Sequence, residues 1–218
     1  MRYSSDHKRE THARIVKKAS VRLREKGARG IGVADLMKEA GLTHGGFYAH
    51  FDSREALVIE ALGYAMDHST EHWRRLAEDI PVEKKLSTIV ASYLTPMHRD
   101  DPGRGCAVPA LGAEIAREGP KARKAFATKL EKMVDVLAAQ IPGVAPKVAR
   151  RQAMALLATM AGTVVLARIA GEGDFSDEIL AAGREASLGS GQKKKPADAR
   201  VRPTEPRKPS GKMGSARR

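Results

Sequence analysis

The sequence predicts an all-α fold, and three observations carry that expectation. Apolar residues recur at spacings of three and four along most of the first 188 positions, glycines and prolines break that pattern into segments, and no stretch alternates apolar and polar residues as a half-buried strand does. With 42% apolar but only 4% aromatic residues among 218, the chain is long enough for a core packed through Ala, Leu, Val, Ile and Met without covalent staples. The single cysteine, Cys106, permits no intrachain disulfide. Together with a polar start, MRYSSDHKRETH, that lacks an apolar signal segment, this leads to the expectation of a reducing cytoplasm.

The first helix is expected from about Ser5 to Lys26, with Ile15, Val16, Ala19 and Leu23 on one face and Gly27 as its stop. A short second helix runs from Val33 to Ala40, with Gly32 at its cap position and Gly41 as its end. Thr43 is placed to cap a third through its hydroxyl, continuing to about Phe51. Asp52 followed by Glu55 reads as a capping box for a long fourth helix, about Ser53 to Glu78, that turns Leu57, Ala61, Met66 and either Tyr64 or Ala65 inward. Beyond Pro81, helices are expected at Val82–Met97, Cys106–Glu118, Pro120–Gln140, Pro146–Gly171 and Asp174–Leu188, about nine in all. The longest uncharged run, Gln152 to Ala167, is too short to span a bilayer and reads as a buried helix, so no membrane partner is expected. From Gly189 onward almost no large apolar residue appears, and a disordered basic tail is expected over 189–218.

Charge divides unevenly along the chain. The formal net charge is +13, of which residues 1–55 carry +5, residues 56–188 carry 0, and residues 189–218 carry +8. Positive ends on a neutral middle suit the phosphates of nucleic acid, whose counterions Lys and Arg release on binding; a solvated basic surface with no partner is the plainer alternative.

The segment VADLMKEAGLTHGGFYAHFDSREAL, Val33 to Leu57, places a short helix, a tight turn at Ala40-Gly41-Leu42 and a second short helix in the layout of a helix-turn-helix. Its glycine allows the sharp turn, and Leu36, Leu42 and Phe47 can pack the two helices together. The run AGLTHGGFYAHFDSREAL, with Ala40-Gly41, Phe47-Tyr48 and His50-Phe51, resembles the signature of the TetR family of regulators, over roughly residues 8–60. Two positions depart from the family pattern: Gly32 stands where a Ser or Thr cap is common, and Arg54 where Lys is common. The resemblance implies a three-helix DNA-binding head over residues 1–52 and a ligand-binding and dimerising body over 53–188, a repressor that leaves a palindromic operator on double-stranded DNA when an effector binds. It also implies Thr43, His44, Gly45, Tyr48 and His50 as DNA contacts. The chemistry agrees in part: Thr43 and Tyr48 carry hydroxyls for phosphates, His44 can reach a base edge, a Gly-Gly pair lets backbone approach closely, and Arg54 offers a further phosphate contact. Phe47 and Phe51 fall on the core side by spacing.

Three weaker features remain. His68 and His72, four apart on one helix, make half a metal site, but no third ligand completes a recognised spacing, and neither metal nor cofactor is expected. By the same resemblance, which implies an effector cavity beneath the fourth helix, His72 and Trp73 are candidates for lining it, or are merely solvated. Cys106 follows Arg104 at the start of a helix, two features that lower a thiol pKa. By resemblance to a subset of the family with a Gly-Cys here, it is a candidate sensor of electrophiles or oxidants; the alternative is a small buried core residue. No His or acid stands in a catalytic motif with it, so an enzyme is not expected. The mostly apolar helix 146–171 and the one after it suggest a homodimer through residues 146–188, or an ordinary internal helix. An effector-independent, nucleoid-type DNA-binding protein is the alternative function.

Overall fold

The computed structural model describes residues 5–28, 30 and 32–189; the basic tail expected from residue 189 onward lies, past its first residue, outside them. Among the described residues the chain forms nine α-helices and one 3-10 segment, with no strand. α1 spans Ser5–Lys26 and buries the four residues its spacing marked, Ile15, Val16, Ala19 and Leu23. Gly27 ends it at φ +78°, a conformation open chiefly to glycine. α2, Val33–Glu39, follows the Gly32 cap and buries Leu36 and Met37. It closes in a Schellman turn: Gly41 takes φ +74°, and the Leu42 amide donates to the Met37 carbonyl at 2.9 Å.

The third element departs from expectation. His44–Ala49 is a 3-10 segment, and the Thr43 side chain makes no capping bond. Adjacent Gly45 and Gly46 disfavour an α-helix, and in the tighter winding the Gly46 amide donates to the Thr43 backbone carbonyl at 3.0 Å, where an α-turn would have left it for the hydroxyl. The long helix, α3, spans Arg54–Leu76, about 35 Å at 1.5 Å per residue. Its cap is Ser53, whose hydroxyl accepts from the Ala56 amide at 3.1 Å. Asp52 does not cap, and Glu55 falls one position short of a capping box, because Asp and Ser are interchangeable at this role and geometry chose the later one. Ala65, not Tyr64, faces the core.

The expected helix Val82–Met97 is two: α4, Val82–Tyr93, and a five-residue α5, Pro96–Asp100. Pro96 cannot donate backward and holds the preceding residue extended, so Thr95 starts a new helix, accepting from the His98 amide at 3.1 Å. α6 spans Ala107–Ile115, α7 Pro120–Ala138, α8 Pro146–Ala170 and α9 Asp174–Gly189. At 25 residues α8 is long and apolar enough to cross a bilayer, longer than its uncharged run suggested, but here it packs between α7 and α9 in the body. Gly183 of α9 lies so close to α8 that an added Cβ would overlap the Thr163 side chain.

Two cores result. One joins α1, α2, Phe47 and Phe51 to Leu57, Val58, Ala61 and Leu62 of α3, and also takes in Leu111 and Ile115 of α6. The other gathers Ala65, Met66 and Trp73 of α3 with α4, Cys106, Ala107, α7, α8 and Leu180. The head's core therefore extends past residue 52, and both α3 and α6 belong to both cores.

Candidate DNA interface and effector cavity

The 3-10 segment is anchored by Phe47, 2% exposed, stacked 5.5 Å from Phe51. Because only that side is buried, Thr43, His44, Gly45 and Tyr48 stand outward, Tyr48 70% exposed, and the His44 and Tyr48 rings meet edge to face at 6.5 Å. Four of the six expected contact residues thus share one open face. His50 is half-buried, its Nδ1 without a hydrogen-bond partner, and burial, then His12 and Lys8, hold its pKa below the ordinary value. Arg54 is exposed, but one nitrogen of its guanidinium donates to the Ala28 carbonyl, so part of the expected phosphate contact is committed to the head itself.

His12 was not singled out in the sequence. Its ring stacks on Phe51 at 4.5 Å, and its Nε2 lies 2.6 Å from Glu60 Oε1, tying α1 to the residues just after the 3-10 segment and to α3. Forty-eight residues separate the partners, and nothing in local spacing marks the pair.

In the body, a cavity of about 220 Å³ brings together all three pocket candidates, Cys106, His72 and Trp73. Trp73 forms a fully buried wall, ring centroid 5.7 Å from Tyr93, and exposed Met97 and Arg104 sit at the rim. His98 is locked in one tautomer: Nδ1 donates to the Tyr93 carbonyl at 2.7 Å, and Nε2 accepts from the Cys106 amide at 2.9 Å. Burial pushes its pKa down to about 4, so it is neutral under ordinary conditions. His72 is likewise held low by partial burial, then by His68 and Arg75.

Of the two readings of Cys106, its burial matches the small core residue. Burial raises its pKa above that of a free thiol, outweighing bonds from the Val108 backbone and the Tyr93 and Ser69 side chains. The cation expected to activate it, Arg104, points into solvent and pairs with Asp101 at 3.3 Å. The Tyr93 hydroxyl is buried with no oxygen or nitrogen partner and lies beside the Cys106 sulfur.

Residues 15–61 match the model of the bacterial regulatory proteins of the tetR family. Over that stretch the chain carries the DNA-binding domain of the TetR family. It is a DNA-binding transcriptional regulator. An uncharacterized HTH-type transcriptional regulator of Mycobacterium tuberculosis is 25% identical over 164 residues, 72% of this chain and 83% of that protein. Two solved structures share the whole fold. NemR of E. coli in its reduced form superposes with a TM-score of 0.67 at 19% identity, over 80% of this chain and 95% of its own. FadR of Bacillus subtilis in complex with stearoyl-CoA gives 0.62 at 17%, over 83% and 98%. At these identities the likeness of the two structures is one of fold.

Proposed function

We propose that this TetR-family regulator is a repressor that binds a palindromic operator as a homodimer and releases it when the body cavity is occupied. The observation that carries the DNA reading is the open face of Thr43, His44, Gly45 and Tyr48, held on a segment whose opposite side is packed into the head's core. Two such faces related by a two-fold axis fit successive major-groove half-sites, with phosphate bonds from Thr43, Tyr48, His50 and Arg54 setting register. Support for the dimer comes from α8 and α9, where Ala155, Ala158, Gly162, Leu166 and Ile169 form an exposed stripe that Phe175 continues. Leu166, Ile169 and Phe175 are 57%, 76% and 69% exposed, an apolar surface of the kind that a second copy covers.

The cavity supports a compact effector. An apolar cavity of about 150 Å³ holds benzene, so about 220 Å³ suits a single ring with a few substituents. An acyl-CoA, the ligand named for FadR, is too large for it. The raised pKa of Cys106 favours reversible occupancy; its place on the cavity wall supports covalent modification as the second reading. Binding-site selection followed by mobility shifts tests the whole. A selected palindrome should bind about a thousandfold tighter than bulk DNA, and His44→Ala should relax specificity at its base by about 1–3 kcal/mol. Equal affinity for all DNA would leave the nucleoid-type alternative standing. Effector release that survives Cys106→Ala assigns regulation to reversible binding; release that disappears assigns it to the thiol.

A further inference from the structure

We infer that the cavity addresses the DNA-binding head through a direct latch from the loop 101–106 and α6 onto α1, in which Arg24 and Glu114 are the two positioning side chains. The inference rests on the reading of the cavity as the effector site. Asp101, Arg104, Gly105 and Cys106 of this loop line the cavity. From the other side, Arg24 of α1 reaches the same loop: its Nε donates to the Gly103 carbonyl at 2.9 Å, and its Nη2 donates to the same oxygen. Burial lowers the Arg24 pKa, so a partly desolvated guanidinium of the head is set on a neutral carbonyl of the body. Such a placement costs free energy unless the geometry is held closely.

Two glycines let the loop lie close against its neighbours on both sides. A Cβ on Gly103 would stand 2.7 Å from Glu25 Oε1 and 3.0 Å from Val21 Cγ1, both on α1. One on Gly105 would stand 2.5 Å from the His98 ring. The loop is thus sandwiched between α1 and the body. At its far end α6 repeats the connection: Glu114 Oε2 accepts from the Ala28 amide at 2.7 Å, in the connector just after α1, while Arg54 of α3 donates to the Ala28 carbonyl. Leu111 and Ile115 seat the same turn of α6 in the head's core. A group entering the cavity and displacing the loop therefore moves Gly103 and Glu114, and with them the end of α1, by a route that runs beside any movement of α3.

The test compares operator affinity with the cavity empty and filled. Iodoacetamide alkylates the single thiol of the full-length chain, confirmed by mass, and Ser69→Trp fills the cavity from α3 without chemistry. In the natural chain either occupant should weaken operator binding by roughly 5–150-fold, the usual range of allosteric coupling. In Arg24→Ala, and in Gly103→Ala, which disturbs the seat without removing a charge, the filled-to-empty ratio should fall to within about twofold of unity, with Arg24→Lys restoring part of it. A merely structural Arg24 would weaken both states alike and leave the ratio intact, which would overturn the latch. If neither occupant changes operator affinity in the natural chain, the effector reading of the cavity fails, and the latch falls with it.

Discussion

His98 makes the body acid-sensitive by an amount that can be worked out. In the fold it is neutral, donating from Nδ1 and accepting at Nε2, with the Arg168 guanidinium nearby opposing a positive charge. Its pKa is pushed to about 4 from an ordinary 6.5, so between these values the unfolded chain binds the proton and the fold does not. Stability is then full above about pH 6.5 and declines as pH falls toward 4, at up to about 1.4 kcal/mol per pH unit for one proton. The integrated loss is about 2 kcal/mol at pH 5 and about 3 kcal/mol at pH 4, a ceiling because the ring keeps some contact with water. Urea unfolding followed by far-ultraviolet circular dichroism, at one protein concentration and several pH values, measures it. His98→Gln, whose side-chain oxygen can still accept from the Cys106 amide, removes this titration from the slope even if it lowers stability at neutral pH. Parallel pH profiles for the variant and the natural chain would refute the reasoning.

Three further outcomes are expected. Gly183→Ala should lower stability by about 1–3 kcal/mol, read as a fall in melting temperature, since a methyl there meets the buried Thr163. Ser53→Ala should cost about 1 kcal/mol and Asp52→Ala within about 0.5, because only Ser53 caps α3; equal losses would restore the capping box. Ile169→Glu places a charge in the exposed stripe of α8 and should halve the mass seen by light scattering while weakening operator binding; an unchanged mass would remove that stripe from the interface.

The helices were legible because periodicity and glycine stops are local: α1 begins and ends where its pattern and Gly27 put it, and the Schellman turn at Gly41 follows from one glycine. Cap choice was less so, since Asp52 and Ser53 satisfy the same rule and only the backbone decides. Pro96 did carry a local signal, and the apolar spacing around it masked the break. The burial of Phe47 and Phe51 followed from their spacing. What the sequence hid were bonds that join distant segments to main-chain atoms. Arg24 and Gly103 are 79 residues apart, and Ala28 and Glu114 are 86 apart; a backbone acceptor has no residue-type signature. The choice between the two readings of the thiol was hidden for a related reason. A helix start and a nearby Arg104 are visible in sequence, but the direction Arg104 points and the depth of Cys106 are not.

Because α6 contributes Leu111 and Ile115 to the head's core, the boundary between head and body does not coincide with any single cut in the chain. A fragment ending after α3 would carry a hole where those two side chains belong and an Ala28 amide without its carboxylate. Grafting this head onto another regulator's body would therefore require transplanting one face of α6 as well.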